Sequence, residues 1–409
     1  MKRILILGAG TAGTMMANKL VGRLDPSWAV TVVDRDDLHV YQPGLLFLPF
    51  GDYRVDEIVK RRTRLVDPRV DLRLCGVERV EPDTNRVFLA DGEVLSYDVL
   101  VLATGSHIHP ENTPGLTGPG WRETAHDFYS LDGAIELAKA LEDFDGGRIV
   151  LNVVENPIKC PVAPLEMLFL LESWSRKQGH RDRTEIVYAT PLDGAFTKPK
   201  ASAALGDMLT TRGIGVTPEF STERVDGEQG KLVSYDGREE PYELLISIPS
   251  HAGAKVISDS ELGDYAGFVP TDKHTLQTKA HANVFALGDC TDLPSSKAGA
   301  VAHFQAEVLF ENVLRFVEGK EPLPEFDGHA NCFIETGDGK AMLIDFNYET
   351  EPLPGRFPLP GVGPFTLLEE SAVNHWGKLA FKWVYWNLLL KGEELPLDHR
   401  MLMAGKWSR

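Results

Sequence analysis

Cysteine is scarce, with four residues in a chain of 409. So few cannot staple a domain together, and any that pair do chemistry or sit incidentally in a core. Positive charge is also short. Forty-two Lys and Arg stand against 60 Asp and Glu, a formal net charge of −18. That balance argues against a nucleic-acid binder and against broad electrostatic attachment to an anionic membrane. No apolar run reaches the ~18 residues of a transmembrane helix, and no solenoid repeat or low-complexity tract occurs. The twelve histidines show no metal-ligand spacing, and neither a GxSxG nor a Walker A motif is present. Met1-Lys2-Arg3 runs straight into a strand, so an export segment is not expected. What is there, 43% hydrophobic and 25% charged residues, suits a globular protein of two or three domains at ~150 residues each.

Ile4-Leu5-Ile6-Leu7 is a continuous apolar run of the kind a buried parallel strand needs. It flows into Gly8-Ala9-Gly10-Thr11-Ala12-Gly13 and then a helical stretch read as Thr14 to Leu24. A second strand, Val30–Val33, ends at Asp34, which follows Gly13 by 21 residues. A strand, a GxGxxG turn, a helix and an acidic residue ~20 positions on make a dinucleotide-binding unit, with the acid on ribose hydroxyls. Further strands are read at Val70–Leu74, Arg86–Leu89, Val99–Ala103, Arg148–Leu151, Glu185–Ala189, Leu244–Ile248 and Val284–Leu287. Ala125 to Ala140 reads as loop and helix. The alternation predicts an α/β, doubly wound architecture with two nucleotide-type domains and a C-terminal appendage.

Three separated segments fit one pattern: Gly8–Gly13 with Asp34, Leu100–Gly105, and Val284–Asp289. Together they resemble the two-dinucleotide-domain, glutathione-reductase-like flavoproteins. The resemblance implies two Rossmann-like domains and FAD as the cofactor. It places the pyrophosphate on Gly8, Gly10 and Gly13, with Thr11, Ala12, Arg35 and Val77 as further contacts. It sets Ala103, Thr104 and Gly105 beside the cofactor, and Gly288 and Asp289 at its ribityl–phosphate part. Gln42 and Pro43, in Tyr41–Gly44, resemble the loop over the isoalloxazine. Lys297 and Ala298 open a helix running to Val317, whose start is expected to stabilise charge on the reduced flavin.

The second glycine loop, which in such proteins binds NAD(P)H, is missing. From Arg148 to Gln178 there is no glycine, and there are three prolines. Such a backbone can neither turn tightly nor offer the N–H groups that hold a pyrophosphate. Cys160-Pro161-Val162-Ala163-Pro164-Leu165-Glu166 stands there instead. It resembles the cysteine motif of sulfide:quinone oxidoreductases and of the flavocytochrome c sulfide dehydrogenase flavoprotein subunit, with Cys332 at a place comparable to their second redox cysteine. The third cysteine of many members would fall at His126–Tyr129 and is absent. Cys160 precedes a helix whose dipole is expected to favour thiolate. Glu166, in the first turn, is expected either to complement that dipole or to handle protons. Cys75 and Cys290 read as packing residues.

Trp376–Lys391 is apolar nearly all round, with Lys378, Lys382 and Lys391 as its charges. Two uses are open: a helix in a core or homo-oligomer seam, or an interfacial anchor with Trp383, Tyr385 and Trp386 in the headgroup layer and the lysines at lipid phosphates. The expected organisation is residues 1–110 and 261–321 as the FAD domain, 111–260 as the second domain, and 322–409 as the C-terminal unit. The expected function is an FAD-dependent sulfide:quinone oxidoreductase with sulfide and a membrane quinone as partners, bound peripherally at a bilayer surface on the cytoplasmic side. Alternatives are a cytochrome-linked sulfide dehydrogenase subunit, a type II NADH dehydrogenase and a non-catalytic FAD scaffold.

Overall fold

A computed structural model describes residues 1–395 and 397–407 of the chain. Residues 396, 408 and 409 of the expected C-terminal unit lie outside the described residues. The apolar runs pair as parallel strands because both faces are covered, one by helices and the other by an antiparallel sheet. One five-stranded sheet runs in the order Val284–Ala286, Val99–Leu102, Lys2–Leu7, Trp28–Asp34, Asp71–Leu74, all parallel. A second follows the order Ala125–His126, Leu244–Ile248, Gly147–Val153, Thr184–Ala189, Ile214–Thr217, again all parallel. Each carries a three-stranded antiparallel partner, at Val77–Ser96 and at Thr222–Pro241. An antiparallel ribbon of Ser106–His109 with Ser250–Gly253 links the two halves.

Arg86–Leu89 is a strand as read, and it lies in an antiparallel sheet. Two readings change. The first helix begins at Thr11, not Thr14, so Gly13 lies inside it. Ala125–His126 is a two-residue edge strand in the stretch read as loop and helix, ahead of the helix Leu131–Asp143. Two residues are too few to show a period.

The C-terminal unit is a sheet of Ala330–Gly337, Lys340–Phe346, Gly363–Leu367 and Gly355–Leu359, with Glu370–Ser371 beside it. The helix Ala372–Asn387 packs on it. Of the aromatics expected at its surface, that helix exposes Trp383 but buries Tyr385 and Trp386. Tyr385 is 1% and Trp386 5% accessible, whereas Trp376 and Trp383 are 67% and 61% accessible. Tyr385 packs inward because its hydroxyl has partners there, Thr11 Oγ1 at 2.7 Å and His39 Nε2 at 2.6 Å. Trp376 and Trp383, seven residues apart, share the outer face. Among the described residues no helix is long and apolar enough to cross a membrane.

Candidate functional site

The three nucleotide motifs meet at the C-terminal edge of the first sheet. Gly8 N–H donates to Val33 O at 2.8 Å, Ala103 N–H to Leu7 O at 2.8 Å, and Leu287 N–H to Leu102 O at 3.1 Å. This is where ligands of open α/β sheets lie. A Cβ on Gly13 would sit 1.8 Å from Gly8 O, so the helix can approach the turn only with glycine there. A Cβ on Gly10 would meet no atom within 4 Å; Gly10 faces open space at the N-terminus of the Thr11–Val21 helix, where a diphosphate would lie. Ala12 is buried beneath it. Asp34 Oδ2 accepts the Ala9 N–H and Oδ1 the Arg35 N–H, both at 2.7 Å, and Arg62 pairs with it at 3.1 Å. Asp34 therefore also pins the glycine loop, while the Arg35 side chain is exposed. Thr104 Oγ1 is buried without a partner among the described residues, next to Gly105 at φ +69°. Gly288, at φ +75°, donates its N–H to Gln305 Oε1 at 2.6 Å. Gln42 and Pro43 open a short 3₁₀ turn, Gln42–Leu46, and Val77 begins the antiparallel strand Val77–Glu81. The open Gly10, the unpartnered Thr104 hydroxyl and the half-buried Asp289 suit a bound dinucleotide such as FAD.

Cys160 lies where the second glycine loop would be. Its φ of +48° is left-handed, a conformation that non-glycine residues keep only where their surroundings impose it. Its N–H donates to Lys297 O at 2.6 Å, and its carbonyl accepts from Ala163 N–H at 2.9 Å and Tyr129 Oη at 3.3 Å. Burial pushes its thiol up, and the charge of Lys378 pulls it back. The expected thiolate preference is therefore not met, because loss of water outweighs the nearby positive charge. Cys332, in the strand Ala330–Gly337, is buried, and both burial and Cys160 push its thiol up. That strand packs on the helix Ala163–Lys177 that follows Cys160. The two cysteines are free. Cys290 is packed, donating to Leu102 O at 3.3 Å and Leu287 O at 3.2 Å, and its thiol is pushed up to about 11. Cys75 borders the smaller core under the first sheet.

Glu166 does more than face a helix dipole. Its Oε1 accepts the Glu335 N–H at 2.6 Å and contacts the Lys378 ammonium. Glu166 and Lys378 side chains are 3% and 11% accessible. Burial brings the Lys378 ammonium down to about 7, while charge on Cys160 opposes it. Lys378 thus points inward and not at a lipid surface. Lys382 likewise turns to Glu57 at 3.1 Å and lies over the Tyr53 ring.

Lys297 does not present its charge to a cofactor. Its Nζ donates to Asp289 O at 3.0 Å and Thr291 O at 2.6 Å, and it stacks over Phe268. A buried ammonium must satisfy its donors, and two main-chain carbonyls do so. Ala298 caps the Gly299–Val317 helix with extended backbone. Lys159 holds the freer position, within electrostatic reach of Asp289, Asp127 and Cys160. Lys159 and Arg62 escaped the sequence reading, and Lys378 entered it only as a lipid-facing charge. Only the adjacency of Lys159 to Cys160 could have flagged one of them. Asp127, where a third cysteine would fall, is a buried structural acceptor for Tyr129 and Ser130 N–H and pairs with Arg122 at 2.7 Å.

At the C-terminal ends of the second sheet is a cavity of about 470 Å³, lined among others by Asn112, Glu155, Asn156, Thr222, Glu223 and Ser250. Two carboxylates and no glycine loop make it a poor diphosphate site.

Comparison with known proteins agrees with this geometry. Residues 2–152 match the pyridine nucleotide-disulphide oxidoreductase family. The chain is 28% identical to the mitochondrial sulfide:quinone oxidoreductase of Mus musculus, over 95% of this chain and 86% of that protein. It is also 28% identical to the mitochondrial sulfide:quinone oxidoreductase of Schizosaccharomyces pombe, over 95% and 90%. Its fold matches the crystal structure of the sulfide:quinone oxidoreductase from Aquifex aeolicus with a TM-score of 0.79, at 18% identity and covering 96% and 92% of the two chains.

Proposed function

We propose that this chain, similar along nearly its whole length to sulfide:quinone oxidoreductases, is an FAD-dependent enzyme of that activity. The observation that carries the reading is the exchange at the second nucleotide position: three prolines and Cys160 replace a glycine loop, and the strand bearing Cys332 packs beside them. Bound FAD supplies the two-electron relay between the substrates, held by Gly8, Gly10, Gly13, Asp34, Thr104 and Asp289.

The protein's own part begins at the sulfurs. Oxidised as a pair, Cys160 and Cys332 offer an electrophilic sulfur. Hydrosulfide attacks it, the bond between the cysteine sulfurs breaks, and a new S–S bond holds the incoming sulfur as a persulfide. The electron pair stays on the other cysteine as thiolate. Lys378 stabilises that charge at Cys160. Glu166 and Lys378 form a buried pair able to hold and release a proton. Quinone tails reside in lipid, so the acceptor side opens where the protein touches a bilayer. Exposed apolar side chains of the C-terminal unit, Trp376 and Trp383 among them, make a peripheral contact of that kind.

An anaerobic titration tests the reading. Sulfide should bleach the flavin of the purified protein stoichiometrically, NADH should not, and a soluble quinone should restore the colour. Cys160→Ser and Cys332→Ser should each lose several orders of magnitude in sulfide-driven turnover, and Cys75→Ser almost none. Fast, saturable bleaching by NADH would replace this reading with an NADH dehydrogenase.

A further inference from the structure

Proton supply sets a demand that the site described so far does not meet. Resting on the reading above, each turnover takes two electrons and one proton from hydrosulfide, whereas quinol formation consumes two electrons and two protons. At least one proton per turnover must come from bulk water, yet Glu166 and Lys378 are both buried. A second buried pair adjoins them. His375 Nδ1 is 2.8 Å from Glu335 Oε1, with side chains 19% and 2% accessible. Glu335 is also the residue whose main-chain N–H is bound by Glu166. Its second carboxylate oxygen, Oε2, is buried and has no partner among the described residues. A buried carboxyl oxygen is rarely left without a partner.

We propose that His375 and Glu335 form the proton intake of the enzyme, carrying protons from the surface at Asp52 to the buried Glu166–Lys378 pair. His375 accepts a proton at the rim. It passes one to Glu335 Oε1 as the proton on Oε2 leaves inward, and rotation of the carboxyl with reprotonation of His375 from water restores both residues for the next transfer.

The surroundings fit that role. The Glu335 carboxyl is within electrostatic reach of Asp52 and Tyr53 from the loop after Phe50 and of Lys177 at the end of the helix Ala163–Lys177, and it contacts His375 of the C-terminal helix, while Glu166 holds the main-chain N–H of the same residue. Lys378 lies beyond Glu166. Burial and the negative charge of Asp52 push the Glu335 carboxyl up to about 8, with Lys177 opposing. It therefore carries a transferable proton near neutral pH. Burial lowers His375, and exposed Asp52 raises it again. Asp52 gathers protons where the relay meets water.

The test separates the two half-reactions by stopped flow. The holoenzyme is reduced with dithionite, so that no sulfide chemistry is involved, and mixed with a soluble short-chain quinone across pH 6 to 9. Glu335→Gln should slow flavin reoxidation about tenfold or more and flatten its pH profile. Glu335→Asp should recover part of the rate, and His375→Gln should show the same defect more weakly. In all three, flavin bleaching by sulfide should stay within about twofold of wild type. An infrared band of a protonated carboxylic acid, present in wild type at pH 7, should vanish in Glu335→Gln. Wild-type reoxidation with an unchanged pH profile in Glu335→Gln overturns the relay. Failure of the unaltered enzyme to be bleached by sulfide overturns the donor assignment and leaves the relay judged by the dithionite arm alone. Failure of quinone to reoxidise the unaltered enzyme sinks both.

Discussion

Lys378 is one methylene chain doing two jobs: it neutralises Glu166 and it lowers the thiol of Cys160. Removing it separates those roles. Without the ammonium, the Cys160 thiol loses the neighbour that favours its charged form, so its titration moves to higher pH. In Lys378→Met, alkylation of Cys160 by iodoacetamide should therefore need a more alkaline solution than in the unaltered protein, followed by mass spectrometry of the labelled peptide. An unshifted pH profile would remove Lys378 from the electrostatics of the sulfur. The same variant leaves Glu166 buried and unpaired, which typically costs about 3–5 kcal/mol. The neutral pair Glu166→Gln with Lys378→Met should recover part of that loss in urea unfolding, because the uncompensated charge is gone. Lys378 sits 212 residues from Glu166, and nothing in its own stretch announces an inward-facing charge. The sequence shows an apolar helix with lysines, and a lysine on such a helix normally runs to water.

At the scale of elements, the glycine turn illustrates what sequence makes legible. The order strand, GxGxxG, helix, strand, acid is local, and each step has a backbone reason, so the cradle could be read residue by residue. The two inner glycines nonetheless act differently. Gly13 is a packing glycine, with Gly8 O at 1.8 Å from any added Cβ, whereas Gly10 has clear space. Gly13→Ala should thus lower the melting temperature of the apoprotein itself. Gly10→Val should leave the apoprotein's melting temperature near wild type and abolish flavin retention on gel filtration. Gly10→Val protein that stays fully yellow would place the cofactor elsewhere. What sequence leaves hidden are contacts made across elements. Cys332 could be singled out only by analogy, because its tie to Cys160 runs through the packing of a late strand on an early helix. Lys297 illustrates the reverse error: its position at a helix start suggested a charge aimed at the flavin, but the carbonyls of Asp289 and Thr291 claim it.

For the molecule as a whole, the proposed activity asks a chain of formal charge −18 to meet a quinone that lives in lipid. Coulomb repulsion from anionic headgroups must be overcome locally, by apolar burial and not by bulk charge. Among the described residues, eight of the seventeen exposed large apolar side chains lie between Leu359 and Trp407, Trp376 and Trp383 among them. Lys378 and Lys382 are spent on Glu166 and Glu57, so few cations remain on the helix for lipid phosphates. Binding to neutral phosphatidylcholine vesicles should accordingly persist at high salt, unlike a contact made by basic patches. The tryptophans give the sharper test. Cutting the chain before Trp376 would also remove Tyr385 from Thr11 and His39, and Leu390 O from Asn18 at 2.6 Å, which would injure the FAD cradle. The double variant Trp376→Glu/Trp383→Glu changes only the outer face. It should fold, bind flavin and be bleached by sulfide as before. It should lose most vesicle co-sedimentation and turn over long-tailed quinone poorly, while short-chain soluble quinone still accepts electrons at near the original rate. If it sediments with vesicles as well as the unaltered protein does, the outer face of this helix is not the membrane contact, and the exposed tryptophans belong to a protein seam.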